Sequence, residues 1–194
     1  MEKVSIKKKN IYRYDLFRQA GTMDLKTLLK WLFVPKFKII YIFRKCEYWR
    51  SRNKLIFGFY RMIYGHYMVK YGVDIGAKAS IGPGFIIRHM GGIVINSYAV
   101  IGKDVEIMQG ITIGYERRGK RQGNPTIGDR VWIGSNAVIV GKITVGNDVL
   151  IAPNAFVNFD VPDNSIVIGN LGQIIRKENA VDEYVINTLE LQVK

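Results

Sequence analysis

From residue 75 to residue 157, aliphatic residues recur along the chain at intervals of six. An α-helix repeats about every 3.6 residues and a strand about every two, so neither element alone generates this interval. A short repeat of fixed length predicts a solenoid, in which each repeat forms a short strand and a corner and the aliphatic side chain points inward. The positions are Ile75, Ile81, Ile87, Ile95, Ile101, Ile107, Ile113, Ile127, Ile133, Ile139, Val145, Ile151 and Val157.

Before residue 73 the hydrophobic spacing is typical of helices. Apolar residues between Leu25 and Phe33 follow the i, i+3, i+4 spacing of an amphipathic helix, which predicts a helix from about 24 to 34. Two further helices are predicted, one at 36–52 with a basic flank and one at about 54–70. The two halves of the chain therefore differ in fold class.

The charge distribution divides the chain at the same place. The formal net charge is +13, and residues 1–72 carry all of it, with 17 Lys and Arg against four Asp and Glu. Residues 73–194 carry 12 of each. We therefore expect a basic helical segment at 1–72, a β-solenoid at 73–176 with a projecting arm at 115–125, and a C-terminal tail at 177–194.

Two steps of the six-residue series are longer than the others. The step from Ile87 to Ile95 is eight residues, and the step from Ile113 to Ile127 is fourteen. Insertions in a solenoid become loops on one face, which is often the binding face. The first insertion contains His89, one of only two histidines in the chain.

The glycine-containing hexads, as in Ile75-Gly76 and Ile81-Gly82, resemble those of the hexapeptide-repeat acyltransferases. The stretches "VDIGAKASIGPGFIIRHMGGIVINSYAVIGKDVEIMQGITIG" and "NPTIGDRVWIGSNAVIVGKITVGNDVLIAPNAFVNFDVPDNSIVIGN" are similar to the serine acetyltransferase branch. The likeness covers roughly residues 71–176. It implies a mainly β fold, a left-handed parallel β-helix with an N-terminal α-helical segment, and it also implies a homotrimer.

The resemblance also implies a reaction. Transfer of an acetyl group from acetyl-CoA to a hydroxyl needs a base that takes the hydroxyl proton, and histidine suits this role. By likeness to the family, His89 is the base and Asp74 is the carboxylate that orients its ring. Transfer is expected to be direct, within a ternary complex.

The acceptor expected from the sequence is a sugar hydroxyl. Arg88 stands where serine acetyltransferases typically have aspartate, and Asn124 stands where their arm has histidine. An arginine would repel the ammonium group of an amino acid, which favours the related polysaccharide and capsule O-acetyltransferases. L-Serine is the alternative acceptor, and a non-catalytic trimeric scaffold is the alternative of another class. The expected substrate contacts are Arg88, Gln109, Asn124, Arg117 and Arg118.

The resemblance places the acetyl-CoA site in a groove between neighbouring subunits. By alignment the small residues along it are Gly134, Ser135, Ala152 and Pro153, and the candidates for the CoA phosphates are Arg176 and Lys177. No metal is expected, because two histidines and one cysteine give no recognisable zinc spacing.

The basic segment at 1–72 has three explanations. Contact with an anionic membrane is favoured, because basic amphipathic helices dock on lipid headgroups. In the second explanation the helices only cap the solenoid. Binding to nucleic acid is the third and least favoured explanation, since no nucleic-acid-binding module is recognisable. We expect a cytoplasmic protein, at the inner face of the membrane if docking occurs, because no signal peptide or membrane span is visible.

Overall fold

The computed structural model describes the backbone of residues 3–193 and the side chains of residues 6–189. Residues 1, 2 and 194, the outer ends of the predicted N-terminal segment and C-terminal tail, lie outside the described residues. A first strand, β1 (Lys3–Ile6), precedes a short 3-10 turn at Lys8–Asn10. Four helices follow, and they are α1 (Ile11–Ala20), α2 (Leu25–Trp31), α3 (Pro35–Trp49) and α4 (Lys54–Tyr71).

The sequence pattern anticipates the last three helices but does not single out α1. Helix α2 begins after Asp24, whose carboxylate accepts a hydrogen bond from Thr27 N at 2.8 Å. Helix α4 begins after Asn53, which caps it in the same way. Helix α1 lacks an apolar stripe because it buries polar side chains, including Asp15 and Arg18.

Residues 73–168 form a parallel β-helix of about five turns. Its strands are β2 (Val73–Ile75), β3 (Ser80–Ile81), β4 (Ile86–Ile87), β5 (Ile93–Ile95), β6 (Val100–Ile101), β7 (Glu106–Ile107), β8 (Thr112–Gly114), β9 (Thr126–Ile127), β10 (Val131–Ile133), β11 (Val138–Val140), β12 (Thr144–Val145), β13 (Val149–Ile151), β14 (Phe156–Val157) and β15 (Ser165–Ile168). The predicted fold class, a left-handed parallel β-helix with an N-terminal α-helical segment, is confirmed. The domain boundaries stay predictions.

The strands stack into three faces. The first face contains β2, β5, β8, β11 and β14, the second contains β3, β6, β9 and β12, and the third contains β4, β7, β10, β13 and β15. The hexad residues are in register through each stack, as Ile75 is paired with Ile95 and Ile95 with Ile113. Their side chains are buried, so the repeat of six is the inward row of the solenoid.

The corner between the third and first faces needs left-handed backbone in every coil. Gly92 and Gly110 have φ of 66° and 74°, and Asn136 and Asn154 have φ of 60° and 61°. Glycine adopts this conformation without strain, and asparagine tolerates it. A Cβ on Gly92 would lie 3.3 Å from Gly110 Cα, so this corner is also tightly stacked.

The third face is covered on its outer side, whereas the first two faces are open except where the end of helix α4 lies beside β2. Helices α1 and α3 contact β4, and Ile86 on that strand is fully buried. Asp15 on α1 fixes this arrangement, because its carboxylate accepts hydrogen bonds from Gly84 N at 2.8 Å and from Arg44 Nε at 2.9 Å. On the first face Val94 is 42% exposed, and on the second face Val100 is 44% exposed.

The segment after the last coil returns along the third face. Strand β16 (Gln173–Arg176) pairs antiparallel with β15, and β17 (Glu190–Val193) pairs parallel with β1. Between them Ala180, Val181 and Val185 are buried against Leu150. The predicted tail is therefore packed on the β-helix over this stretch.

Candidate active site

Hydrogen bonds between successive coils identify the two residues that interrupt the repeat. Arg88 and Gly91 keep regular positions, because each is hydrogen-bonded to the coil below at 2.9 Å. In the coil below, the residue that corresponds to Arg88 and the residue that corresponds to Gly91 are adjacent along the chain. His89 and Met90 are therefore the inserted pair, and they bulge from the corner between the third and first faces.

His89 lines a pocket of about 270 Å³ on the outer side of the third face. The β-helix forms one wall and the C-terminal segment forms the other. The wall from the β-helix consists of Arg88, His89, Glu106, Met108 and Trp132, and the wall from the C-terminal segment consists of Glu183, Tyr184 and Ile186. The His89 side chain is exposed, so a ligand in this pocket can reach the imidazole.

Arg88, predicted to contact substrate, is held by a buried carboxylate. Its Nε and Nη2 donate to the two oxygens of Glu106, the latter at 2.9 Å, and the Glu106 side chain is only 3% exposed. Arg18 from α1 lies 3.6 Å from the same carboxylate and 3.4 Å from Asp104. Burial raises the pKa of Asp104, although the nearby Arg18 opposes this shift. Two arginines and two carboxylates therefore balance one another beside His89.

Asp74, the predicted orienting partner, lies on the other side of the same corner. It sits on β2, opposite Val94 in the neighbouring coil, and lines a pocket of about 280 Å³ with Gly92. Within residues 3–193, no ion pair within 4.0 Å joins Asp74 to His89. The structure brings the two residues to one corner, and among the described residues it shows no ion pair between them.

Five of the other predicted contacts lie on the same corner, in the coils beyond His89. Gln109 stacks directly below Gly91, and its side-chain Oε1 is buried without a hydrogen-bond partner among the described residues. A buried acceptor of this kind favours a bound group with a donor. The four predicted acetyl-CoA residues, Gly134, Ser135, Ala152 and Pro153, continue the row in the following coils.

Some backbone N–H groups along this row already donate hydrogen bonds within the β-helix. The N–H groups of Gly134 and Ala152 donate within the β-helix at 2.8 Å and 2.9 Å. A Cβ on Gly134 would lie 2.5 Å from Pro153 N, so glycine is required there by the approach of the next coil. Ala152 is half-buried beneath the C-terminal segment. The backbone N–H groups of Gly134 and Ala152 are therefore not free to bind a ligand.

The two basic residues expected at the CoA phosphates lie at the far end of the β-helix. Arg176 Nη1 donates to Asp163 O at 2.6 Å, which ties its guanidinium to the last coil. Lys177 follows it, and its side chain is exposed. Contact of either residue with CoA stays a prediction.

The arm residues do not meet His89 within one chain. Residues 115–125 leave the corner between the first and second faces, whereas His89 lies at the corner between the third and first. Arg117 and Arg118 are exposed there, and the Asn124 side-chain Oδ1 is buried without a partner in the described part of the chain. A site that combines His89 with the arm therefore needs a second chain.

The sequence pattern missed Glu106, Glu183 and Tyr184 as residues of the pocket. The sequence could have indicated Glu106, because it is an acidic residue in the outward row of the third face, where the residues stacked on either side of it are the apolar Ile86 and Trp132. It could not have indicated Glu183, since nothing in the sequence shows where the segment after residue 176 packs.

Other candidate groups are separate from this pocket. His66 is exposed on α4. Burial raises the pKa of the Cys46 thiol to about 11, and nearby Arg61 only partly offsets this effect. No group of three or more His, Cys, Asp and Glu side chains within the described residues is placed to hold a metal ion. Among those residues no helix is both long and apolar enough to cross a membrane.

The six-residue repeat builds a β-helix in which a histidine lies at an interrupted corner, and known proteins share this repeat. Residues 124–158 match the family model described as "Bacterial transferase hexapeptide (six repeats)". The resemblance to hexapeptide-repeat transferases with serine acetyltransferase relatives is confirmed.

Two of these relatives are the serine acetyltransferases of Helicobacter pylori and Mycobacterium tuberculosis. The chain is 40% identical to the first over 107 residues, which are 55% of this chain and 63% of that protein. It is 42% identical to the second over 104 residues, which are 54% of this chain and 45% of that protein. The chain thus spans about half to two thirds of the length of these relatives.

Solved structures of serine acetyltransferases have the same fold. The enzyme from Brucella abortus has a TM-score of 0.71 at 26% identity, over 88% of this chain and 68% of that one. A serine acetyltransferase in complex with CoA has a TM-score of 0.69 at 27% identity, over 87% of this chain and 68% of that one.

These comparisons contradict the expectation of a sugar or polysaccharide acceptor. The matching proteins are serine acetyltransferases, so the alternative acceptor, L-serine, is the better supported one. The argument from Arg88 fails for a physical reason that the sequence does not show. Glu106 neutralises the guanidinium, so Arg88 does not present a free positive charge to an amino acid.

Proposed function

We propose that this chain is an acetyl-CoA-dependent O-acetyltransferase that acts on the hydroxyl of L-serine. The observation that carries the proposal is the position of His89. It is one of two residues inserted at one corner of the β-helix, and it faces a pocket large enough for a small amino acid. The serine acetyltransferase relatives and the neighbour in complex with CoA support the substrate pair.

His89 acts as the general base in this proposal. The imidazole takes the proton of the serine hydroxyl as its oxygen attacks the acetyl carbonyl, and the same proton is available to the departing CoA sulfur. Bound acetyl-CoA supplies the activated thioester. Gly91 and Gly92, with φ of 103° and 66°, let the backbone bend away from the imidazole. Asp74, on the same corner, is proposed to orient the protonated ring.

The active form is proposed to be a homotrimer. The arm lies at a different corner from His89, so Asn124 and the arm arginines reach an acceptor only from a neighbouring chain. Exposed apolar side chains on the open faces, such as Val94 and Tyr98, are available for contact between copies. The row Gly134, Ser135, Ala152 and Pro153 then forms the acetyl-CoA groove with the neighbour.

Contact of residues 1–72 with an anionic membrane stays a prediction without support from the relatives. Helix α2 and the turn after it offer the surface for it, because Leu25 and Phe33 are 62% and 81% exposed and Lys26 and Lys30 are also exposed. Helices α1 and α3, in contrast, pack on the β-helix and support the capping role. Failure to bind anionic vesicles at low salt would leave capping as the role of this segment.

The test is release of free thiol from acetyl-CoA with L-serine as the acceptor. His89→Ala is expected to lower kcat/KM by about 100-fold to 10,000-fold, the usual loss when a general base is removed. The chain provides a matched control, since His66→Ala removes the other histidine from an exposed helix and should leave turnover unchanged. Absence of serine-dependent thiol release by the unmodified protein would contradict the proposal and favour a non-catalytic scaffold.

A further inference from the structure

The charges around His89 leave one carboxylate without a counterpart. Arg18, Arg88, Asp104 and Glu106 form a balanced group of two cations and two anions. Glu183 lies on the opposite wall, in the C-terminal segment, and it takes part in none of the ion pairs found within residues 3–193. The pocket therefore carries an excess negative charge, and Glu183 supplies it.

The chain holds Glu183 in place from both sides. Asp182 accepts a hydrogen bond from Arg130 Nη2 at 2.8 Å, and the Tyr184 ring packs on the Trp132 ring with centroids 4.7 Å apart. Val185, the next residue, is only 3% exposed. The backbone that carries Glu183 is therefore held in place before a ligand binds, and its exposed side chain is accessible from the pocket.

We propose that Glu183 recognises the ammonium group of the acceptor amino acid. This inference rests on the proposed function, since it assumes that the acceptor is L-serine. A carboxylate and an ammonium group form a charge-assisted hydrogen bond, which is stronger than a neutral one. With Arg88 neutralised by Glu106, no free cation of the pocket opposes this contact. Glu183 thus distinguishes an amino acid from a hydroxyl compound of similar size that lacks the ammonium group.

The experiment compares two acceptors with two variants. Glu183→Gln keeps the size of the side chain and removes its charge, and Glu178→Gln makes the same change at an exposed residue outside the pocket. Thiol release from acetyl-CoA is measured with L-serine and with 3-hydroxypropionate, which has the hydroxyl and carboxylate but no ammonium group. KM for the acceptor, KM for acetyl-CoA and kcat are determined separately.

Glu183→Gln is expected to raise KM for L-serine by about 10-fold to 100-fold, the range for loss of a hydrogen bond to a charged group. KM for acetyl-CoA, kcat at saturating serine and activity with 3-hydroxypropionate should stay unchanged. Glu183→Asp should recover part of the loss, and Glu178→Gln should behave like the unmodified protein.

Two failures are distinguishable. If the unmodified protein does not acetylate serine, the proposed function fails and the inference fails with it. If the unmodified protein acetylates serine and Glu183→Gln leaves KM for serine unchanged, only the role of Glu183 is overturned. An equal loss with both acceptors would also overturn it, because that pattern indicates a general disturbance of the pocket.

Discussion

The third and first faces of the β-helix are built from the same repeat, yet their outer sides differ. On the third face the outward row includes Ile86 and Glu106, which are 0% and 3% exposed. On the first face the equivalent row includes Asp74, which is exposed, and Val94, which is 42% exposed. The inward rows are alike, so the repeat specifies the core of the solenoid. The outward rows differ because helices and the C-terminal segment cover only one of them.

The candidate active site lies at the boundary between these two faces. His89 projects from the corner where the covered face ends and the open face begins. One side of His89 is therefore walled, and the other side is accessible. The covered side supplies Arg88, Glu106 and Glu183 in fixed positions. The open side supplies Asp74 and space for another chain. A site that needs both rigid contacts and substrate access is well placed there.

The largest effect is expected from Glu106→Ala, on the covered face. The change leaves the fully buried Arg18 and the half-buried Arg88 without their shared carboxylate. Removal of one partner from a buried ion pair costs about 3–5 kcal/mol, because the remaining charge is desolvated and unpaired. Denaturant unfolding followed by circular dichroism measures the loss.

Val94→Ala is the control on the open face, in the same coil. In the single chain it should change the free energy of unfolding by less than about 0.5 kcal/mol, as expected for an exposed side chain. Similar losses for the two variants would contradict the distinction between the covered and open faces.

A smaller effect is expected from Val181→Ala, in the segment that covers the third face. Val181 is fully buried against Leu150, and loss of its two methyl groups costs about 2 kcal/mol through lost burial and an unfilled cavity. Because Val181 anchors the segment that carries Glu183, KM for serine should also rise. Val69→Ala, the same change at a residue that is 87% exposed, should leave the free energy of unfolding unchanged. Unchanged stability in Val181→Ala would show that the segment does not pack on the β-helix in solution.

The contrast between the faces also explains how far the sequence could predict the structure. The β-helix and the location of its interruption follow from the spacing of inward residues, which each coil repeats. His89 was singled out because it lies in an insertion into that repeat, and Asp74 was assigned as its partner by likeness to the serine acetyltransferases. The cover of the third face could not be predicted, because helix α1 reaches it through polar side chains such as Asp15 and Arg18 rather than through an apolar stripe.

The acceptor could not be predicted for the same reason. Arg88 was assigned a free positive charge from its position next to His89. Its partner Glu106 is 18 residues away along the chain and becomes a neighbour only when the second coil stacks below the first. A residue's charge in a pocket depends on such long-range partners, and the sequence pattern of one coil does not contain them.

The smallest structural change is expected in an experiment that compares the accessibility of a thiol in the helical layer with that of a thiol on the open face. Cys46 is 4% exposed in the helical layer, and its pKa of about 11 leaves only about one thiol in 1,000 ionised at pH 8. Val94→Cys places a second thiol on the open face, where an ordinary pKa near 8.5 leaves roughly a quarter ionised. Because the thiolate is the species that reacts, alkylation at pH 8 should be more than about 100-fold faster at position 94 in the single chain, at a protein concentration that dissociates the proposed homotrimer.

The same labelling experiment reports on assembly when the mass of the protein is measured by light scattering. Raising the pH from 8 to 10 should accelerate labelling of Cys46 by about 100-fold, since its thiolate fraction still rises, whereas position 94 gains only a few-fold. Equal rates at pH 8 would contradict the burial of Cys46. In a second outcome, position 94 is labelled slowly while the protein has the mass of three chains, and labelling becomes faster when dilution dissociates it. That outcome would show that the open face of one chain is the contact surface of the homotrimer. The first face would then be covered by another copy, as the third face is covered by the chain's own helices.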